Sequence, residues 1–178
     1  MSRKNIYPIK DLSKATKKLY DVLNESNDLS CVLIGTSFLD ETLRSMLQKY
    51  LVKCNTAKNM LNPNGSLGTF SNRCDLTYCL ALINKRRYKD LIIIQKIRNL
   101  FAHSHLEKSF GDKDVIALTD KLMYCDILKE TEMFKEVENP TPEQIQINSL
   151  ERFKMTIALL SQELLLTGLS LKHKEIKI

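Results

Sequence analysis

Apolar residues recur every third or fourth position along almost the whole chain, and no run alternates apolar with polar residues between hairpin turns. That pattern buries its hydrophobic surface as α-helices and not as strands. The spacing predicts an all-α single domain over residues 1–178, a bundle of about six to seven helices. A basic N-terminal helix is expected at 10–24, with its apolar face from Leu12 to Leu23. A second helix should start after Asn27 or Asp28, carry Val32, Ile34, Phe38, Leu39, Leu43, Met46, Leu47 and Leu51, and end before Cys54. Gly35 inside it costs about 1 kcal/mol relative to Ala, which points to a close helix crossing. The segment Asn62-Pro63-Asn64-Gly65-Ser66 reads as a turn, because Pro sets one backbone angle and Asn-Gly tolerates positive φ. A third helix is expected from Phe70 to Ile83 with Leu76, Leu80 and Leu82 inside, then a link Asn84-Lys85-Arg86-Arg87 and a fourth helix from Tyr88 to His103. After a polar loop from Ser104 to Gly111, a fifth helix should begin near Asp112 or Asp114, where an acidic start suits the helix dipole. Asn139-Pro140-Thr141-Pro142-Glu143-Gln144 announces the last helix, expected over 142–170: Thr141 caps, Pro142 suits the first helical position, and Gln144 completes a capping box.

A length of 178 residues and 43% apolar content fit one core rather than two. Five Cys (Cys31, Cys54, Cys74, Cys79, Cys125) form no Cys-x-x-Cys pair, and the three His make no zinc spacing, so reduced thiols, no metal, no cofactor and a cytoplasmic location are expected. The N-terminus has no apolar leader segment, and the greasiest stretch, Thr156 to Leu171, is broken by Gln162 and Glu163, so no membrane span is expected. The net charge of +6 suits an anionic partner. Basic residues gather at Arg3, Lys4, Lys10, Lys14, Lys17 and Lys18, at Lys85, Arg86, Arg87 and Lys89, and at Lys172, Lys174 and Lys177. A solvated surface and a nucleic-acid face are both open readings of them.

The chemistry concentrates in Arg98-Asn99-Leu100-Phe101-Ala102-His103, which ends the run from Tyr88 to Ile97 that is apolar at Leu91, Ile92, Ile93, Ile94 and Ile97. Asn99 and His103 are an i,i+4 pair on one helical face, and Arg98 has a side chain long enough to reach the same point. In RNA the 2′-hydroxyl lies beside its own phosphodiester, so a base that removes its proton permits internal attack without a metal if cations hold the extra phosphoryl charge. His103 would be the acid or base, Arg98 the phosphate clamp, and Asn99 the orienting amide. Lys85, Arg86, Arg87 and Lys96 would contact RNA, while Asp40, Glu41 and Asp75 would orient the site. The alternatives are structural: Arg98 packed along its helix, Asn99 bonding a neighbouring turn, His103 as a C-terminal dipole partner, and the acids in interhelical ion pairs. A serine hydrolase through Ser37 or Ser71 is excluded by the missing Gly-x-Ser-x-Gly, and Asn64-Gly65-Ser66-Leu67-Gly68 lacks the lysine and strand of a phosphate loop.

The arginine, the polar residue after it and the histidine five positions on resemble the signature of the HEPN superfamily. That resemblance implies a metal-independent endoribonuclease of toxin or antiviral type, acting as a homodimer and held in check by a partner, with Arg98 and His103 as catalytic pair and Asn99 auxiliary. His105 lies outside the pattern. A second resemblance covers Asn24 to Leu171. The blocks Cys31 to Glu41, Leu67 to Leu76 and Ile97 to His103 are similar to those of the mannitol operon repressor family, which implies an all-helical transcriptional regulator. Neither that family nor this sequence offers a recognisable helix-turn-helix, so regulation would run through a protein partner. The arginine-to-histidine pattern is fuller here than in the mannitol regulator itself, which leaves the enzyme and the non-enzymatic regulator as rival expectations.

Overall fold

The computed structural model describes residues 12–103, 108–123 and 140–175, and within them seven helices and no strands. They are α1 (Leu12–Glu25), α2 (Asp28–Tyr50), α3 (Asn55–Met60), α4 (Phe70–Cys79), α5 (Lys85–His103), α6 (Lys113–Thr119) and α7 (Pro142–Ser170). The architecture is all-α, as the apolar spacing requires. Helices α2 and α7 form the central pair, with α1 laid against α7 and with α4 and α5 against α2. The core they enclose runs from Leu23 through Leu39, Leu43, Ile94 and Ile97 to Phe153 and Ile157. A chain of tilted rings, Phe101 to Phe110 to Phe153, links the end of α5 to α7 at centroid distances of 5.4 and 5.3 Å.

The α2/α7 crossing explains Gly35: a Cβ built there would lie 3.2 Å from Cγ1 of buried Ile157. The missing side chain lets the two backbones approach. Farther along the same pair, Lys49 Nζ donates to the carbonyls of Gly168 and Leu169 at 2.6 and 3.0 Å, satisfying the end of α7. At its start α7 has the full capping box, with Thr141 Oγ1 accepting from Gln144 N and Gln144 Oε1 accepting from Thr141 N.

Three boundaries differ from the sequence expectation. Helix α4 stops at Cys79 instead of Ile83, because Ala81 takes φ 55° and the amides of Ala81 and Leu82 turn back to the carbonyls of Tyr78 and Thr77. This is a left-handed helix end built without the usual Gly or Asn. The expected link Asn84 to Arg87 is instead the cap and first turn of α5: Asn84 Oδ1 accepts from Arg87 N at 3.0 Å. The short α3 was not expected; its cap is Cys54, whose Sγ accepts from Ala57 N at 3.4 Å. The turn at Asn62 to Ser66 is present, though without the positive φ that Asn64-Gly65 would tolerate, and it continues to Gly68, where a Cβ would strike the carbonyl oxygen of Pro63 at 2.1 Å.

Candidate functional site

Helix α5 carries the candidate residues on different sides. At about 100° per residue, its buried residues Leu91, Ile94, Ile97 and Phe101 define one side, and Lys96, Asn99, Leu100 and His103 the opposite one. The second side lines an open groove of about 820 Å³. Its other wall comes from Lys108 and from Asp114, Ala117 and Leu118 of α6. The groove exists because α6 packs on the core through Val115 and Thr119, which leaves Leu100 and Leu118 only partly covered between the two helices.

Lys96, Arg98, Asn99 and His103 are all exposed. Asn99 and His103 share the groove, as their i,i+4 spacing required. Arg98 does not line it: the helix directs it about 140° away from His103, and its Nη1 donates to Asn99 Oδ1 at 3.2 Å. Asn99 thus holds Arg98 on one side and shares the groove with His103 on the other. Lys108, which the sequence reading passed over, stands at the groove mouth 2.7 Å from Asp114 Oδ2 and 3.5 Å from Asp112 Oδ2. The hydrogen bond between them holds the Asp114 carboxyl below its ordinary value and raises the Lys108 ammonium. Lys108 sits four residues before Asp112 and six before Asp114, but its place beside α5 depends on the fold.

The three acids expected to orient the trio have other partners. Asp40 pairs with Arg73 at 2.5 Å, Glu41 with Arg44 at 2.8 Å, and Asp75 accepts from the Tyr88 hydroxyl at 2.8 Å, which raises the Tyr88 phenol. Only Asp40 makes the interhelical ion pair expected of a structural acid; Glu41 pairs within α2, and Asp75 accepts a hydroxyl of the neighbouring helix. Two of the four expected RNA contacts are likewise engaged. Arg86 donates to the Met123 carbonyl, while Asp90, one turn on and fully buried, accepts Met123 N at 2.9 Å, so the two clamp one backbone unit. Arg87 pairs with Glu163 of α7. Lys85 and Lys96 remain exposed, with Lys89 beside them. The phosphate-facing patch read from Lys85, Arg86 and Arg87 is thus largely an anchor for the start of α5, because a helix beginning at Lys85 turns Arg86 and Arg87 toward the core.

Of the other basic clusters, Lys14, Lys17 and Lys18 are exposed on α1, and Lys174 lies 4.9 Å over the Tyr50 ring. Lys172 is also exposed. Arg3, Lys4, Lys10, Lys177, His105 and Cys125 lie outside the described residues. Cys31 and Cys74 are buried free thiols, Cys54 is half-buried, and Cys79 is exposed. Among the described residues no His, Cys, Asp and Glu group is disposed to hold a metal, and no helix is long and apolar enough to cross a membrane.

Comparison with known proteins follows the fold closely. No curated protein matches the sequence. A solved structure with the same fold is the mannitol repressor MtlR in complex with HPr, from Escherichia coli: it is 20% identical, with a TM-score of 0.60, over 86% of this chain and 97% of that one. Neither this match nor the family match lends support to the ribonuclease, toxin, antiviral or homodimer readings. The family model described as mannitol repressor matches residues 15–170, from the first turn of α1 to the last residue of α7, and on that extent the chain belongs to the mannitol repressor family.

Proposed function

We propose that the chain is a non-enzymatic regulator of the mannitol repressor type, which acts by binding another protein and not by reading DNA with a helix of its own. The observation that carries this reading is the family match over residues 15–170, which takes in nearly all of the helical core. The similar repressor from Escherichia coli was solved with HPr bound, so HPr is the first partner to test here. Three of the helices are unsuited to reading DNA, although α1 and α5 do expose lysines. A DNA-reading helix presents polar and basic side chains to a groove. Here α2 and α7 are the buried centre, and the one basic residue of α4, Arg73, is turned inward.

The ribonuclease alternative asks a single phosphodiester to meet Arg98 and His103 together, and within one chain those groups leave α5 in different directions. Titration calorimetry against HPr of the same organism, run beside labelled RNA in chelator, separates the two. The regulator gives a saturable complex and intact RNA. Products with 2′,3′-cyclic ends, lost in His103→Ala and Arg98→Ala and accompanied by no HPr complex, would overturn it in favour of the enzyme.

A further inference from the structure

We infer that the groove between α5 and α6 receives a segment of the partner protein, and that this segment is an amphipathic helix with acidic flanks. The inference rests on the partner-binding reading above and adds the place and chemistry of contact. The floor is apolar, made by Leu100, Ala117 and Leu118, and Lys96, His103 and Lys108 stand around it. A small-molecule site of similar volume is ordinarily enclosed, whereas this groove is largely open to solvent, as a surface that accepts the apolar stripe of a helix must be.

Charge selects the flanks. Asp114, the one carboxylate among the described lining residues, and Asp112 beside it are both taken up by Lys108, which therefore adds no surplus charge. Among the described residues no carboxylate is paired with Lys96 on the rim or with Arg98 just outside it, so these two fixed cations give this end of the groove its positive charge. A segment with glutamates beside its leucines complements both floor and rim. The same features disfavour two other occupants. A second copy of this chain would bring its own positive rim and a net charge of +6. Single-stranded RNA gains much of its binding from stacking on large aromatic rings, and the described lining residues include no Phe, Tyr or Trp.

The test uses the full chain and a fluorescein-labelled helical peptide with leucines at i, i+3, i+4 and i+7 and glutamates on both flanks, with a lysine-flanked counterpart as control. The glutamate peptide should bind, and NMR shifts should centre on Leu100, Ala117 and Leu118. Lys96→Glu should weaken binding about fivefold, since it removes one exposed attraction and adds a repulsion. Ala117→Glu should abolish binding; Ala117 is exposed, so this variant leaves the core untouched. Lys58→Glu makes the same charge change on exposed α3 and should bind like the parent chain. Equal binding of the two peptides, indifference to Ala117→Glu, or RNA shifting these residues while the glutamate peptide does not would each overturn the inference. A saturable HPr complex in a chain whose groove ignores the peptide rejects the groove and leaves the regulator standing. Peptide binding in a chain that cleaves RNA rejects the regulator and leaves the groove.

Discussion

Replacing Asp40 by Asn isolates one ion pair that holds three parts of the fold together. Arg73 of α4 has a side chain only 6% exposed; it donates from Nη1 to Asp40 Oδ1 of α2 at 2.5 Å, and from Nη2 to the carbonyls of Gly68 and Leu61 at 3.2 and 3.4 Å. Without the carboxylate a buried guanidinium keeps two neutral acceptors and loses its counter-charge. Stranding one partner of a fully buried pair costs about 3–5 kcal/mol. The Asp40 side chain is 31% exposed, so water already shares its charge, and the expected loss falls to about 2 kcal/mol. In a urea titration followed by circular dichroism, with m for small proteins of about 1–3 kcal/mol per molar, the midpoint should drop by about 1 M at unchanged m. Arg73→Met should cost at least as much, because it also leaves the two carbonyls without their donor. The double variant should cost less than the sum of the singles, since each single strands what the other removes. A change within about 0.5 kcal/mol for Asp40→Asn, the size of a surface pair, would refute the reasoning and assign the anchoring to the carbonyls alone.

Gly35→Val should destabilise the chain by about 1–3 kcal/mol, since its branches enter the space held by Ile157; a neutral denaturation midpoint would contradict the close crossing. Thr141→Ala removes the capping box of α7 and should cost about 1 kcal/mol, with faster amide exchange confined to the first turn; protection unchanged at Gln144 would count against it. In a Cys125→Ser background, a thiol reagent should label exposed Cys79 well ahead of Cys31 and Cys74, which should react only on unfolding. Burial pushes the Cys31 thiol up from 9.0 to about 12. The folded state therefore holds that proton when the unfolded chain releases it. Its contribution is fully present below the unfolded value and fades as pH rises toward the folded one, with a slope of about 1.4 kcal/mol per pH unit. Urea midpoints of Cys31→Ala should fall less steeply than those of the parent between pH 9 and 12, the two values that bound the shift; parallel curves would refute it.

Periodicity alone determined the long helices, because a 3.6-residue repeat of apolar side chains has to be met by a helix wherever it is long enough, as in α2 and α7, whereas six-residue α3 carried no such repeat. Local chemistry also announced the capping box at Thr141, the turn at Asn62 to Ser66 and the close approach at Gly35, since each depends on a few neighbouring residues or on one missing Cβ. The i,i+4 spacing likewise put Asn99 and His103 on one face. What the sequence left open depended on residues far apart in the chain. Ala81 adopts positive φ with no glycine to mark it, which shortened α4. Arg86 and Arg87 look identical to surface cations until Met123 and Glu163 are brought beside them. Asp40 could face any of several cations until packing gave it Arg73. The groove itself has a wall from each of two helices, and a concave surface shared between elements has no local signature. The five-residue spacing already parted Arg98 from His103 on α5, and only the packing of α6 through Val115 and Thr119 decided which of the two would look into a groove.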